Sequence, residues 1–230
     1  MPRSVKDADV RRDEILTTAY RLFVRDGYDA TTVSAIIDEL GLSKGAFYHH
    51  FESKDEVMET LTARIAGEMR KNLEPKLAQP GLSAIDQLNL IFSLGAKLKR
   101  EQIPFVRAMS AFYYREENAR LRARMLAASV SVMGPLFARI LDDGLRDGSF
   151  DIEDPVETAQ LLIHMGTFLH DAFGVAFRRA VEDLPGAMKQ YRRSVEAYGR
   201  ALERILGIGA HTLDLIDDAT IELFLKQEKG

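Results

Sequence analysis

Between Thr31 and Phe51 the chain reads TTVSAIIDELGLSKGAFYHHF. If residues 44 to 50 form a short helix, Leu42, Phe47 and Phe51 point inward, and Lys44, Gly45, Ala46, Tyr48, His49 and His50 are left facing out. A lysine, a phenol and two imidazoles beside two small residues form a donor-rich surface suited to the edges of base pairs in a major groove. The stretch before it, from Thr31 or Thr32 to Leu40, has Val33, Ile36, Ile37 and Leu40 on one face and stops at Gly41, which can take the positive φ of a tight turn. Helix, turn and short helix in this order are the arrangement in which the first helix braces a duplex backbone and the second enters the groove.

Other chemistry is weakly represented. There is no cysteine, which excludes disulfides, thiolate metal sites and cysteine nucleophiles. His164 and His170 lie six apart on one predicted helix, not at the three or four spacing that aims two ligands at one metal. No nucleophile with a base, and no pair of carboxylates, stands out. The expectation is therefore no catalytic residue, no metal and no cofactor.

The elements that must position the donor-rich helix are themselves helical. Apolar residues recur at three and four spacing throughout, and alternating β-branched stretches are nearly absent, so the chain is expected to be all-α. A first helix is predicted from about Arg11 to Asp26, with Ile15, Leu16, Ala19, Leu22 and Phe23 as its inner stripe. Ser53 with Glu56 reads as a capping box that opens a helix running through Val57, Leu61, Ile65 and Met69 until Pro75. Further helices are expected at about 83–99, 104–116, 118–147, 155–180, 187–207 and 212–227. Asp154 before Pro155 reads as a cap, Pro135 after Gly134 should kink or split its helix, and the LPG at 184–186 should break the chain. The expected division is a helix-turn-helix domain over residues 1–55, a connecting helix over 53–74, and a larger helical domain over 75–230.

The chain has 230 residues with 46% apolar side chains, enough for a packed core, and a net charge of −4. An acidic body repels duplex DNA, and even residues 1–55 carry more Asp and Glu than Lys and Arg. The outward positions Lys44, His49, His50 and Lys54 include no acid, however, and Arg3, Lys6, Arg11 and Arg12 are expected to act as a basic arm. Few phosphate contacts and weak non-specific binding follow. The N-terminal residues lack the apolar stretch of a signal peptide, and no run is expected to span a membrane, so a cytoplasmic location is the expectation.

The run from Thr31 to Phe51, continued as ESKDEV, resembles the TetR family of bacterial regulators over roughly residues 11 to 60. The likeness lies in the Thr-Val helix start, the GLSKG turn, the FYHHF recognition helix and the SKD opening of the next helix; Ile37 departs from the family's usual alanine. The resemblance implies an N-terminal three-helix DNA-binding domain joined by a long helix to a helical ligand-binding and dimerisation domain. It implies that Lys44, Gly45 and Ala46 approach base edges, that Tyr48, His49 and His50 contact phosphates or thymine methyls, and that Thr31 or Thr32, Ser43 and Lys54 serve the DNA backbone.

For the larger domain the resemblance implies a mostly apolar pocket for a small molecule, with candidates Phe92, Phe105, Met109, Phe112, Tyr113, Met125, Met133, Phe137, His164 and Phe168. Gly166, Gly174 and Gly199 each cost about 1 kcal/mol inside a helix relative to alanine, which close helix approach would offset. With Leu162, Met165, Leu169, Phe173, Val195, Tyr198, Leu202 and Ile205 they suggest a two-fold four-helix dimer interface of the kind this family uses. The expected partners are operator DNA, a small-molecule effector and a second copy of the chain, with no membrane. A helical adaptor that has lost DNA binding, or a regulator that needs its ligand as co-repressor, would share the fold.

Overall fold

The computed structural model describes residues 5–101, 103 and 118–226. Among them the regular elements are helices: α1 (Val5–Asp26), α2 (Val33–Leu40), α3 (Lys44–Tyr48), α4 (Lys54–Leu77), α5 (Ala84–Glu101), α6 (Ala119–Asp147), α7 (Pro155–Arg179), α8 (Leu184–Leu206) and α9 (Asp218–Leu225). They form two compact units that are discontinuous in sequence. One holds the described residues up to Ile65 together with those from 118 to Ala128; the other holds the described residues from Ala66 to Ile103 and from Ser129 onward.

The first unit closes around Ile15, Leu16, Ala19, Leu22 and Phe23 of α1, Ile36 and Ile37 of α2, Phe47 and Phe51 at α3, and Val57, Met58 and Leu61 of α4. Leu121 from the first turn of α6 is buried in the same core. The second unit is built on Leu73, Leu88, Ile91, Met133, Leu136, Ile140, Leu141, Leu162, Tyr198, Leu202 and Leu206. Within it α7 packs along α8, and α9 rests on α5, α7 and α8.

Several boundaries depart from the pattern-based expectations. Helix α1 begins at Val5, ahead of Arg11. Helix α4 passes through Pro75 to Leu77; the proline has no N–H to give the Lys71 carbonyl, but the helix continues past it, with Ala78 N–H reaching the Glu74 carbonyl at 3.1 Å. Pro135 neither ends nor splits α6. A proline inside a helix costs about 3 kcal/mol; Met133 and Leu136 on either side of it are buried.

The LPG at 184–186 starts a helix where the sequence pattern predicts a break. Asp183 caps it by accepting from Gly186 N–H at 2.8 Å, and Pro185 occupies the first turn, where no N–H is required. The last predicted helix shrinks to α9, because residues before it take up hydrogen bonds elsewhere. The amides of Thr212 and Leu213 donate to Glu203 at 2.8 and 3.1 Å, and Asp214 N–H donates to the Asn89 side chain at 2.8 Å. The helix expected at 104–116 lies outside the described residues.

Over eighteen residues of α6 the mean hydropathy reaches 1.4, so that by length and composition alone this helix could cross a membrane, against the expectation that no run would. Its apolar residues Leu121, Met133, Leu136, Ile140 and Leu141 are buried in the two cores.

Candidate nucleic-acid interface

The turn between α2 and α3 is closed by local hydrogen bonds. Gly41 sits at φ 60°, a left-handed conformation that only glycine adopts without strain, and Leu42 N–H returns to the Ile37 carbonyl at 3.0 Å. Ser43 then caps α3, its hydroxyl oxygen accepting from Ala46 N–H at 3.1 Å. Helix α3 ends at Tyr48, two residues short of the expected end. His49 is its C-cap, and His50 N–H turns back to the Phe47 carbonyl at 2.9 Å.

Phe47 and Phe51 are fully buried, with ring centres 6.1 Å apart, and fix which side of α3 faces the core. That leaves Lys44, Gly45, Tyr48 and His49 exposed on a contiguous outer face, Tyr48 at 46%, with Ala46 and His50 half-buried at its margins. A Cβ built on Gly45 would meet nothing within 4 Å. None of the described residues requires a glycine there.

The flanking hydroxyls divide. Thr31 is buried and its hydroxyl donates to the Gly27 carbonyl at 2.8 Å. Thr32 is exposed and caps α2 by accepting from Ala35 N–H at 3.0 Å, which leaves its hydroxyl proton available to an outside acceptor. Lys54 is half-buried. Its ammonium donates to the Tyr28 and Thr31 carbonyls at 2.7 and 2.9 Å and lies 4.1 Å from the centre of the Tyr28 ring. Burial lowers the Lys54 pKa, against a smaller opposing effect of Asp29 and Asp55. The Tyr28 hydroxyl donates to Asp55, and burial followed by that carboxylate pushes its phenol above the usual range.

Of the expected basic arm, Arg12 is turned inward and Arg11 is paired at the surface. Arg11 pairs with Glu14 at 2.5 Å. Arg12 donates to the His50 carbonyl at 2.8 Å and to the Thr60 hydroxyl at 3.3 Å, with its guanidinium 4.2 Å from the Phe51 ring centre. Lys6 falls within α1, and Arg3 lies outside the described residues. Sequence reasoning also misses Arg124, which reaches Glu59 of α4 at 2.5 Å and so ties the start of α6 into the first unit. Its signal is invisible in a linear pattern because the partners are far apart in sequence.

Six of the ten pocket candidates fall among the described residues. Met125 packs against the core of the first unit, Phe92, Met133 and Phe137 belong to the core of the second, and His164 and Phe168 are exposed on α7. Phe105, Met109, Phe112 and Tyr113 lie outside the described residues. A cavity of about 150 Å³ between α8 and residues 211–216 is lined by none of them.

Among the residues expected at a dimer interface, Leu162, Phe173, Val195, Tyr198, Gly199 and Leu202 are buried within the single chain, and Met165, Gly166, Leu169 and Ile205 are half-buried. The Tyr198 hydroxyl donates to the Leu162 carbonyl at 3.2 Å, joining α8 to α7. Gly199 makes room for Leu215, whose Cδ1 would stand 3.2 Å from a Cβ at that position. The exposed apolar residues of α7 are Val156 in its first turn and Leu161, Phe168 and Val175, the last three each nearly half exposed and at heptad-like spacing with His164.

A capped α2–turn–α3 unit with a buried aromatic anchor and a donor-bearing outer face defines a helix-turn-helix protein. Residues 15–61 match the pattern of the bacterial regulatory proteins of the tetR family. The HTH-type transcriptional repressor KstR2 of Rhodococcus jostii (strain RHA1) is 30% identical over 175 residues, spanning 73% of this chain and 78% of that protein. An uncharacterised HTH-type transcriptional regulator, YerO of Bacillus subtilis (strain 168), is 39% identical over 71 residues, and there the match spans only 25% of YerO. The structure of the fatty acid degradation regulator FadR from Bacillus halodurans superposes with a TM-score of 0.56 at 17% identity, covering 80% of this chain and 94% of FadR. The chain belongs to the TetR family and is a helix-turn-helix transcriptional regulator.

Proposed function

We propose that the chain is a dimeric repressor that binds a palindromic operator through α3 and is released by a small, mostly apolar effector. The observation that carries the DNA-reading part is the outer face of α3: Lys44, Tyr48 and His49 present donors around a glycine that the protein's own packing does not need. Lysine donates to guanine O6 and N7, and a missing side chain lets backbone come close to a base edge. Thr32 and Ser43, both exposed helix caps, supply hydroxyls to flanking phosphates.

Dimerisation is assigned to the exposed stripe Leu161, His164, Phe168 and Val175 on α7, because most of the residues that periodicity points to, Leu162, Phe173, Val195, Tyr198, Gly199 and Leu202, are buried within one chain. A two-fold pair of α7 helices buries that stripe and presents two recognition helices at about 34 Å, one turn of the duplex. Bound there, the dimer excludes polymerase.

Effector binding in the second unit is transmitted along helices that continue from one unit into the other. Helix α4 is one such path. Helix α6 is another, its start held in the first unit by Leu121 and by the Arg124–Glu59 pair. A coupling of about 1–3 kcal/mol suffices for a 5- to 150-fold change in operator affinity. The protein works in the cytoplasm as a binding protein without catalytic activity of its own. Repression is favoured by the relative KstR2, itself a transcriptional repressor. The test is selection of bound fragments from random duplex DNA by the purified protein near physiological salt. Enrichment of an inverted repeat supports the reading, and no enrichment removes it.

A further inference from the structure

Arg12 lies three residues ahead of Ile15, at the edge of the buried stripe of α1 and outside residues 15–61 that carry the family pattern. Its guanidinium touches three separate pieces of the domain. One nitrogen donates to the carbonyl of His50 at 2.8 Å, another to the hydroxyl of Thr60 in α4 at 3.3 Å, and the carbon of the group stands 4.2 Å from the centre of the Phe51 ring.

What it holds is the weak end of the recognition helix. A five-residue helix cannot maintain its shape or its direction by its own hydrogen bonds. Its first turn is fixed by the Ser43 cap and its inner side by Phe47; beyond Tyr48 there is one further turn, closed by Phe51 N–H on the Phe47 carbonyl at 3.0 Å. Carbonyl groups at a helix C-terminus lack intrahelical partners and carry partial negative charge. Arg12 supplies the cation and the donor there, and pins the same point to α1 and α4 together.

We propose that Arg12 is a positioning residue for DNA recognition, which sets the pose of α3 in the groove, and is not a phosphate contact. This rests on the DNA-binding reading above. The two roles differ in chemistry. A phosphate contact needs only a charge, which lysine supplies; the Arg12 position needs a planar fork that serves two acceptors while stacking on a ring, which lysine cannot do. They differ in salt dependence as well. Removing a side chain that neutralises one phosphate reduces the slope of log K against log salt by about one, and a change of pose does not.

The experiment measures binding of the full-length protein to its selected inverted repeat and to a scrambled duplex across a salt series, for wild type, Arg12→Lys, Arg12→Gln and Thr60→Val, with a thermal melt of each. Expected for both Arg12 variants is a loss of tenfold or more on the selected site, little loss on the scrambled duplex, and an unchanged salt slope. Thr60→Val, which keeps the charge and removes one acceptor, shows a smaller loss of the same kind and serves where Arg12→Gln does not fold. The proposal is overturned if Arg12→Lys binds as wild type while Arg12→Gln loses equally on both duplexes with a slope reduced by about one, or if Arg12→Gln binds as wild type. Should the wild type bind neither duplex, the DNA-binding reading itself fails, and the role of Arg12 with it.

Discussion

The ammonium of Lys54 stands 2.7 Å from the carbonyl oxygen of Tyr28 and 4.1 Å from the centre of the same residue's ring. With its second bond to the Thr31 carbonyl it braces the loop from which α2 starts. Lys54→Met removes a charge-assisted pair of hydrogen bonds and the ring contact, offset by the relief of burying a charge. The expected cost is about 2 kcal/mol, read as a lowered urea midpoint. An unchanged midpoint would mean that the brace contributes nothing and that Lys54 is available to DNA alone.

Gly45→Ala separates stability from recognition. The added methyl meets open space inside the protein, and alanine is favoured in a helix by about 1 kcal/mol. Thermal stability is expected to hold or rise slightly, while affinity for the selected operator falls by tenfold or more. Equal affinity would show that α3 does not approach the duplex closely at this residue.

Phe168→Glu places a charge in the exposed stripe of α7, where Phe168 is 48% accessible and contributes little to the single chain's core. Sedimentation at micromolar concentration is expected to show a folded monomer in place of a dimer, with operator affinity lost in parallel. A dimeric Phe168→Glu protein would exclude this stripe as the interface.

The cap at Asp183 gives a pH signature. Its carboxylate accepts from Gly186 N–H and pairs with Arg179, and these in that order hold its pKa below 3.8. A carboxylate whose folded pKa is depressed stabilises the fold above its unfolded value, and that contribution is lost as pH falls through the folded one. Asp183→Asn is therefore less stable than wild type at neutral pH. The two denaturation midpoints converge as pH falls through the lowered pKa of the folded carboxylate. A difference that stays constant with pH would rule out the ionised cap.

Much of the site is legible in the sequence because its determinants are local. The caps Thr32 and Ser43, the Gly41 turn and the inward Phe47 and Phe51 are all set within a dozen residues, so spacing alone places them. What is not legible depends on partners distant in sequence. Arg12 reads as a member of a basic arm until His50 and Thr60 are brought beside it, and Thr31 reads like Thr32 until the Gly27 carbonyl claims its hydroxyl. The apolar residues of α7 and α8 show a sound buried face, but periodicity cannot say whether that face is covered by the same chain or by a second copy. Here Tyr198, Leu202 and Gly199 are covered from within, Gly199 by Leu215 of a segment whose predicted helix is too long.

The most direct test of base reading by α3 is to compare the sequences selected by wild type and by Lys44→Ala from the same random pool. The prediction is the same inverted repeat in both, with preference relaxed at one symmetric position in each half-site for Lys44→Ala. An identical motif at every position, with only a uniform drop in affinity, would place Lys44 on the phosphate backbone and contradict its assignment as a base-reading residue.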